Sequence, residues 1–119
     1  MLEISMRLSA LVLTVCLPAA AAADEWFVIV SYVDHPPFEW ADAALDRARY
    51  LDTALAPCGY SAWSDFVGKF DGFNPNGRGT VFIADAVPNL SKSQAEHVLG
   101  QVRPCVPDAY IKRGRYFGE

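Results

Sequence analysis

Residues 26–33 (WFVIVSYV) are β-branched and aromatic almost without a break, the pattern of a strand buried on both faces or nearly so. Asp34-His35-Pro36-Pro37 ends that run, because proline cannot donate to a strand ladder. From Phe38 the period lengthens. Ala41, Ala44, Leu45, Ala48, Leu51 and Leu55 recur at helical spacing, while Asp42, Asp46, Arg47, Arg49 and Asp52 mostly fill the other face. This predicts a helix stopped by Pro57 and Gly59. Tyr60–Phe66 reads as a short strand, and the turn formers of Asp71–Gly79 predict an exposed loop. Thr80–Ala86 is a third strand by β-propensity, ended by Pro88. Ser91 and Gln94 have capping-box spacing, with Leu90 placed as a hydrophobic staple. Ala95, Val98, Leu99 and Val102 then supply the apolar stripe of a second helix, which stops at Pro104. Residues 109–116 read as a last strand with a basic tinge.

The order strand, helix, strand, strand, helix, strand predicts an α+β fold. It is the logic of a ferredoxin-like βαββαβ sandwich, a four-stranded antiparallel sheet with two helices on one face. A length of 119 residues bounds the chain to one domain. With 52% hydrophobic and 20% charged residues, the chain is not a disordered tail, and a net charge of −4 argues against a nucleic-acid partner.

The N-terminus has a separate logic. Arg7 precedes the apolar run Leu8–Leu17, which is followed by Pro18 and Ala19–Ala23. A positive start, a short apolar segment and small residues before a cleavage point predict a secretory signal peptide over residues 1–23. Cys16 raises a lipoprotein reading, but Val15 precedes it and the alanines lie downstream. Cleavage before Asp24 leaves a domain of residues 24–119 in the periplasm or outside the cell, with no membrane anchor.

Export removes Cys16 and leaves Cys58 and Cys105, which an oxidising compartment favours as one disulfide. The fold pulls the other way. In a ferredoxin-like sandwich the helices run antiparallel, so their C-terminal ends sit at opposite ends of the sheet. Ordinary strand lengths then separate the two cysteines by roughly 15–20 Å, where a bridge needs Cα atoms within about 7 Å. Either the first helix is short or bent and the bridge forms, or the thiols are separate or pair between chains.

The second half, TVFIADAVPNLSKSQAEHVLGQV followed by PDAYIK, resembles the third strand, turn, Ala-containing helix and closing strand of the sporulation-related repeat (SPOR) domains of bacterial envelope proteins. WFVIVSY stands where that family carries its first strand. The resemblance covers most of residues 24–119 and is made of pattern and order, without an invariant motif. It implies binding of peptidoglycan glycan strands that lack stem peptides, on the sheet face away from the helices. The family's first strand often reads V-Q-V-G-S-F, and here Val28 and Val30 take the Gln and Gly places. A V-G-P-F-like signature in the third strand falls on Ile83-Ala84-Asp85-Ala86, which keeps only the size pattern.

In that register the open face carries Trp26, Val28, Val30, Tyr32, Phe82 and Tyr110, with Lys112 two places along the last strand. Such a face is too apolar to stand bare. Either its aromatic residues stack on sugar rings, or it is covered by a homodimer mate or by the loop at residues 67–79. A one-residue slip would move the whole set to the other side.

Candidate chemistry is thin. His35 sits beside two prolines and His97 between Glu96 and Val98, and no flanking signature makes either the partner of a nucleophilic cysteine. Two distant histidines and scattered carboxylates lack metal-ligand spacing, and Glu39, Asp42, Asp46 and Asp52 read as a solvated helix face. Asn76-Gly77-Arg78-Gly79 reads as a turn before it reads as an anion cradle. Asn89-Leu90-Ser91 fits a glycosylation sequon, but its Ser serves better as a helix cap. Arg103, Lys112, Arg113 and Arg115 gather positive charge at the C-terminal end, opposite an acidic first half. No catalytic residue, metal or cofactor is expected. The expected function is that of an exported binding module for peptidoglycan glycan or an envelope protein. The alternative is a small secreted regulator or inhibitor acting on a protein partner through the loop at residues 67–79, or as a homodimer.

Overall fold

The structure, a computed structural model, describes residues 25–84 and 90–118. The signal-peptide segment with Cys16, and residues 85–89 with Pro88 and Asn89, lie outside them. Five strands and two helices follow in the order β1 (Glu25–Val33), α1 (Asp42–Leu55), β2 (Ala62–Phe66), β3 (Phe70–Asp71), β4 (Thr80–Ala84), α2 (Lys92–Val102) and β5 (Tyr110–Tyr116). Short 3-10 turns at Ala56–Cys58 and Val67–Lys69 close α1 and join β2 to β3. α2 begins as the sequence predicts. The Ser91 hydroxyl accepts from the Gln94 amide at 3.1 Å, and the Gln94 side chain accepts from the Ser91 amide at 2.9 Å.

All strand pairs are antiparallel, and the sheet order is β2-β4-β1-β5-β3. The architecture is therefore mixed α+β, with two helices and a five-stranded antiparallel sheet. The expected four-stranded sheet is met only in part, because Phe70–Asp71 adds a strand where a plain loop was expected. That addition forces the sheet to curl. β2 and β3 stand at opposite ends of the order, roughly 19 Å apart if the sheet were flat. Only the turn Val67–Lys69 joins them, and the four Cα steps from Phe66 to Phe70 reach at most about 14 Å even fully extended. Side chains cross the remaining gap: the Tyr116 hydroxyl donates to Asp65, and the rings of Trp63 and Tyr116 meet edge-on at 4.9 Å.

The curl creates two cores. On the helix side Val28, Val30 and Val33 of β1 and Phe82 and Ala84 of β4 pack against Ala44, Leu51 and Leu55 of α1 and Ala95 and Val102 of α2. On the other side Phe27, Ile29, Val67, Phe70, Val81 and Ile83 form a second buried cluster, flanked by Trp63, Phe73 and Tyr116. Phe27 sits edge-on to both Phe70 and Phe73, at 5.5 and 5.6 Å, and these two rings stack on each other at 4.6 Å. Phe73 can approach β5 because position 114 is glycine; a Cβ there would lie 2.6 Å from the Phe73 ring. So the segment keeps Asp71, Gly72, Pro75 and Asn76 exposed, as a loop is expected to, while Phe73 turns inward and the loop covers the face of the sheet opposite the helices, one of the coverings expected for it.

Cys58 and Cys105 are joined by a disulfide with a Cα–Cα distance of 6.3 Å. The expected separation fails because α2 does not run the length of β1. Leu90, just before α2, bridges Trp26 near the start of β1, whereas β5 begins at Tyr110 opposite Ile29, midway along it. Eleven helical residues rise about 16 Å, against roughly 30 Å for the nine residues of β1. The end of α2 therefore stops over the middle of the sheet, where the end of α1 can meet it. The Tyr60 hydroxyl, donating to the Gln101 side chain, makes a second link at the same place.

Candidate functional site

The seven residues expected on one open face divide between two faces. Val28 and Phe82 are fully buried on the helix side, and Trp26 packs half-buried against that core with the Lys92 ammonium 5.5 Å from its ring. Neither Val28 nor Phe82 is available to a ligand. Tyr32, Tyr110 and Lys112 lie on the other face, together with Ile29, Val67 and Val81 and with Phe73, Asn74 and Pro75 of the covering loop, around a cavity of about 300 Å³.

A β-bulge makes this division. Ile29 pairs with Ile83 but Ser31 with Phe82, so Val30 is an extra residue in the β1–β4 ladder. Val30 joins the helix-side core, and Ser31 next to it accepts from Arg47 of α1 on the same side. Strict alternation would place Tyr32 with Val28 and Val30. The bulge shifts the count by one and puts Tyr32 beside Tyr110. On β5 the register does the rest: Tyr110 stands opposite Ile29 and Lys112 opposite Phe27, so both share the face of the second core.

The Tyr32 hydroxyl holds the covering loop in place. It lies 3.1 Å from Asp34 Oδ1 and 3.0 Å from the Arg78 carbonyl oxygen, a donor placed between two acceptors. Arg78 clasps the Asp34 carboxylate with Nε and Nη2, at 3.0 and 3.1 Å. The Arg78 and Tyr32 hydrogen bonds hold the Asp34 carboxyl below its usual range, and burial followed by the Asp34 carboxylate raises the Tyr32 phenol. Gly79 permits the closeness. Its φ is +92°, and a Cβ there would meet the Val33 carbonyl at 2.5 Å and the Tyr32 ring at 2.6 Å. His35 is buried, with Nε2 2.7 Å from the Thr80 hydroxyl and Nδ1 2.9 Å from the Pro36 carbonyl. It braces the corner after β1.

Among the described residues the Lys112 side chain has no ion-pair or hydrogen-bond partner. Two aromatic rings, a side-chain amide and an unpaired ammonium over an apolar floor can stack on a sugar or other flat ligand face and hold polar substituents at its rim. Phe73, Asn74 and Pro75 were expected only within the loop at residues 67–79, as a protein-binding surface or a cover, and not in one groove with Tyr32, Tyr110 and Lys112. Their signal was only the density of turn formers, which says that the chain reverses and not where it lies down.

A second exposed feature lies elsewhere. Trp40 is 84% exposed and meets Phe66 edge-on at 6.0 Å; Phe38, also exposed, meets the same ring at 5.8 Å. Phe38 has φ +55°, a left-handed conformation that costs a non-glycine residue about 1–2 kcal/mol.

The class of protein these features define is a disulfide-linked α+β chain with a curled sheet and a small aromatic groove under its covering loop. Comparison with known protein families, with curated proteins and with solved structures gave no match. No helix among the described residues is long and apolar enough to cross a membrane.

Proposed function

We propose that this chain is an exported, non-catalytic binding module of the bacterial cell envelope, SPOR-like in organisation, which holds a peptidoglycan glycan strand in the groove of Tyr32, Tyr110, Lys112 and Asn74. The observation that carries the reading is the convergence of Tyr32 and Tyr110, from different strands, on one cavity with the Asn74 amide and the Lys112 cation. The order β2-β4-β1-β5 with both helices packed on one face supports a ferredoxin-like core beneath the added strand. The leader pattern of residues 1–23 and the Cys58–Cys105 disulfide support export, to the periplasm or beyond. Co-sedimentation with sacculi, intact and amidase-stripped, tests it. Preferential retention on stripped glycan, lost in Tyr110→Ala, is the expected result; no retention on either preparation would sink it.

Trp40 and Phe38 favour a second reading, a regulator that binds an envelope protein through this exposed aromatic pair. Under it, Trp40→Ala would abolish partner binding while Tyr110→Ala would not.

A further inference from the structure

The groove does not end at Tyr32 and Tyr110. β5 begins at Tyr110, opposite Ile29, so residues 31–33 of β1 pair with β4 on one side, and residues 30–33 pair with no strand of the described residues on the other. This leaves a notch in the sheet. On the helix side of the notch lies a second cavity, of about 560 Å³, whose lining includes Tyr32 and Tyr110 again, together with Arg47, Tyr50 and Asp108. The same two tyrosines thus form the wall shared by both cavities. Beyond them stands one cation on each side, Lys112 in the smaller cavity and Arg47 in the larger.

We infer that the two cavities form one cleft for a linear, carboxylate-bearing glycan, which crosses the open edge of β1 between Tyr32 and Tyr110 with Lys112 and Arg47 each taking an acidic group. The inference rests on the groove being a glycan site and adds to it a path and a charge. Lys112 carries the charge: its side chain lines the cavity half-buried and without a carboxylate partner among the described residues, and an acidic ligand group supplies that partner. Arg47 donates to the Ser31 hydroxyl, a neutral acceptor, and keeps its net charge. Tyr50, exposed on α1, extends the aromatic surface along the larger cavity. A compact ligand fits one cavity, and only an extended one spans the wall between them.

Calorimetric titration of the purified protein with soluble peptide-free glycan chains, before and after amidation of their carboxyl groups, tests the charge. The expected result is at least about tenfold weaker binding of the amidated chains, the scale of one lost charge-assisted hydrogen bond. Lys112→Met, which removes one of the two contacts that amidation removes, should weaken binding of the native chains about tenfold and leave the amidated chains unaffected, while Lys112→Arg restores it. Equal binding of both preparations would overturn the acidic ligand and leave the groove reading standing. Binding of neither would remove the groove reading itself. The path is tested by length. Arg47→Met should weaken a hexasaccharide and spare a disaccharide, and an unaffected hexasaccharide would overturn the crossing. Unchanged melting temperatures confirm that each variant is folded.

Discussion

Replacing both Cys58 and Cys105 by serine isolates the contribution of the disulfide without leaving a free thiol. The bridge spans 47 positions of sequence. The chain-entropy relation gives about 4 kcal/mol at 25 °C for a closed loop of that size, and native disulfides of small domains are worth about 2–5 kcal/mol when measured. Two features of the fold work against a larger value: the Tyr60–Gln101 hydrogen bond spans the same junction, and Leu55 and Val102, near the ends of the two helices, are fully buried in the helix-side core. The expected loss is therefore about 2–4 kcal/mol. At roughly 1 kcal/mol per molar for a domain of this size, the urea midpoint of residues 24–119 should fall by about 2–4 M. The m-value should rise as well, because the uncrosslinked denatured chain exposes more surface. Thiol titration of the unfolded parent protein should find no free thiol. Two titratable thiols, or a midpoint unchanged in the double serine variant, would refute the reasoning and return the helix ends to separate positions.

Two other outcomes follow from the second core and its latch. Phe27→Ala removes the ring that Phe70 and Phe73 both contact edge-on, and should cost about 3–5 kcal/mol in equilibrium unfolding, with loss of the near-ultraviolet aromatic signal. A cost below about 1 kcal/mol would mean that the covering loop is not packed on the sheet. Asp34→Asn should release Arg78 and quicken amide exchange at Val67 and Gly77, whose hydrogen bonds to Gly79 and Asn74 hold the loop. Because the folded Asp34 carboxyl lies below its ordinary value of 3.8, the latch contributes fully above that pH and is lost as pH falls through the lower folded value. The difference between Asp34→Asn and the parent should accordingly be present at neutral pH and vanish in strong acid; a difference that persists there would remove the latch from the account.

Every element except β3 was legible in the sequence. A nearly unbroken β-branched and aromatic run marked β1, β-propensity marked β4, the 3.6-residue stripe marked both helices, and Ser91 with Gln94 set the start of α2, because these signals are local and each is read within a few residues. What it could not determine was which side of each strand meets the helices. A period of two makes the two faces equivalent until something outside the strand breaks the tie, and a single extra residue at Val30 moved Tyr32 away from Val28 and toward Tyr110. The tertiary structure also decided that Asp71–Gly79 lies down on the sheet, since Phe73 finds its place only where Phe27, Phe70 and Gly114 make room for it. It brought Cys58 to Cys105 because α2 is shorter than the strand beneath it, a comparison between elements that neither segment carries alone. The candidate groove arises in the same way, from a bulge on β1, the starting point of β5 and a covering loop, three long-range consequences of packing.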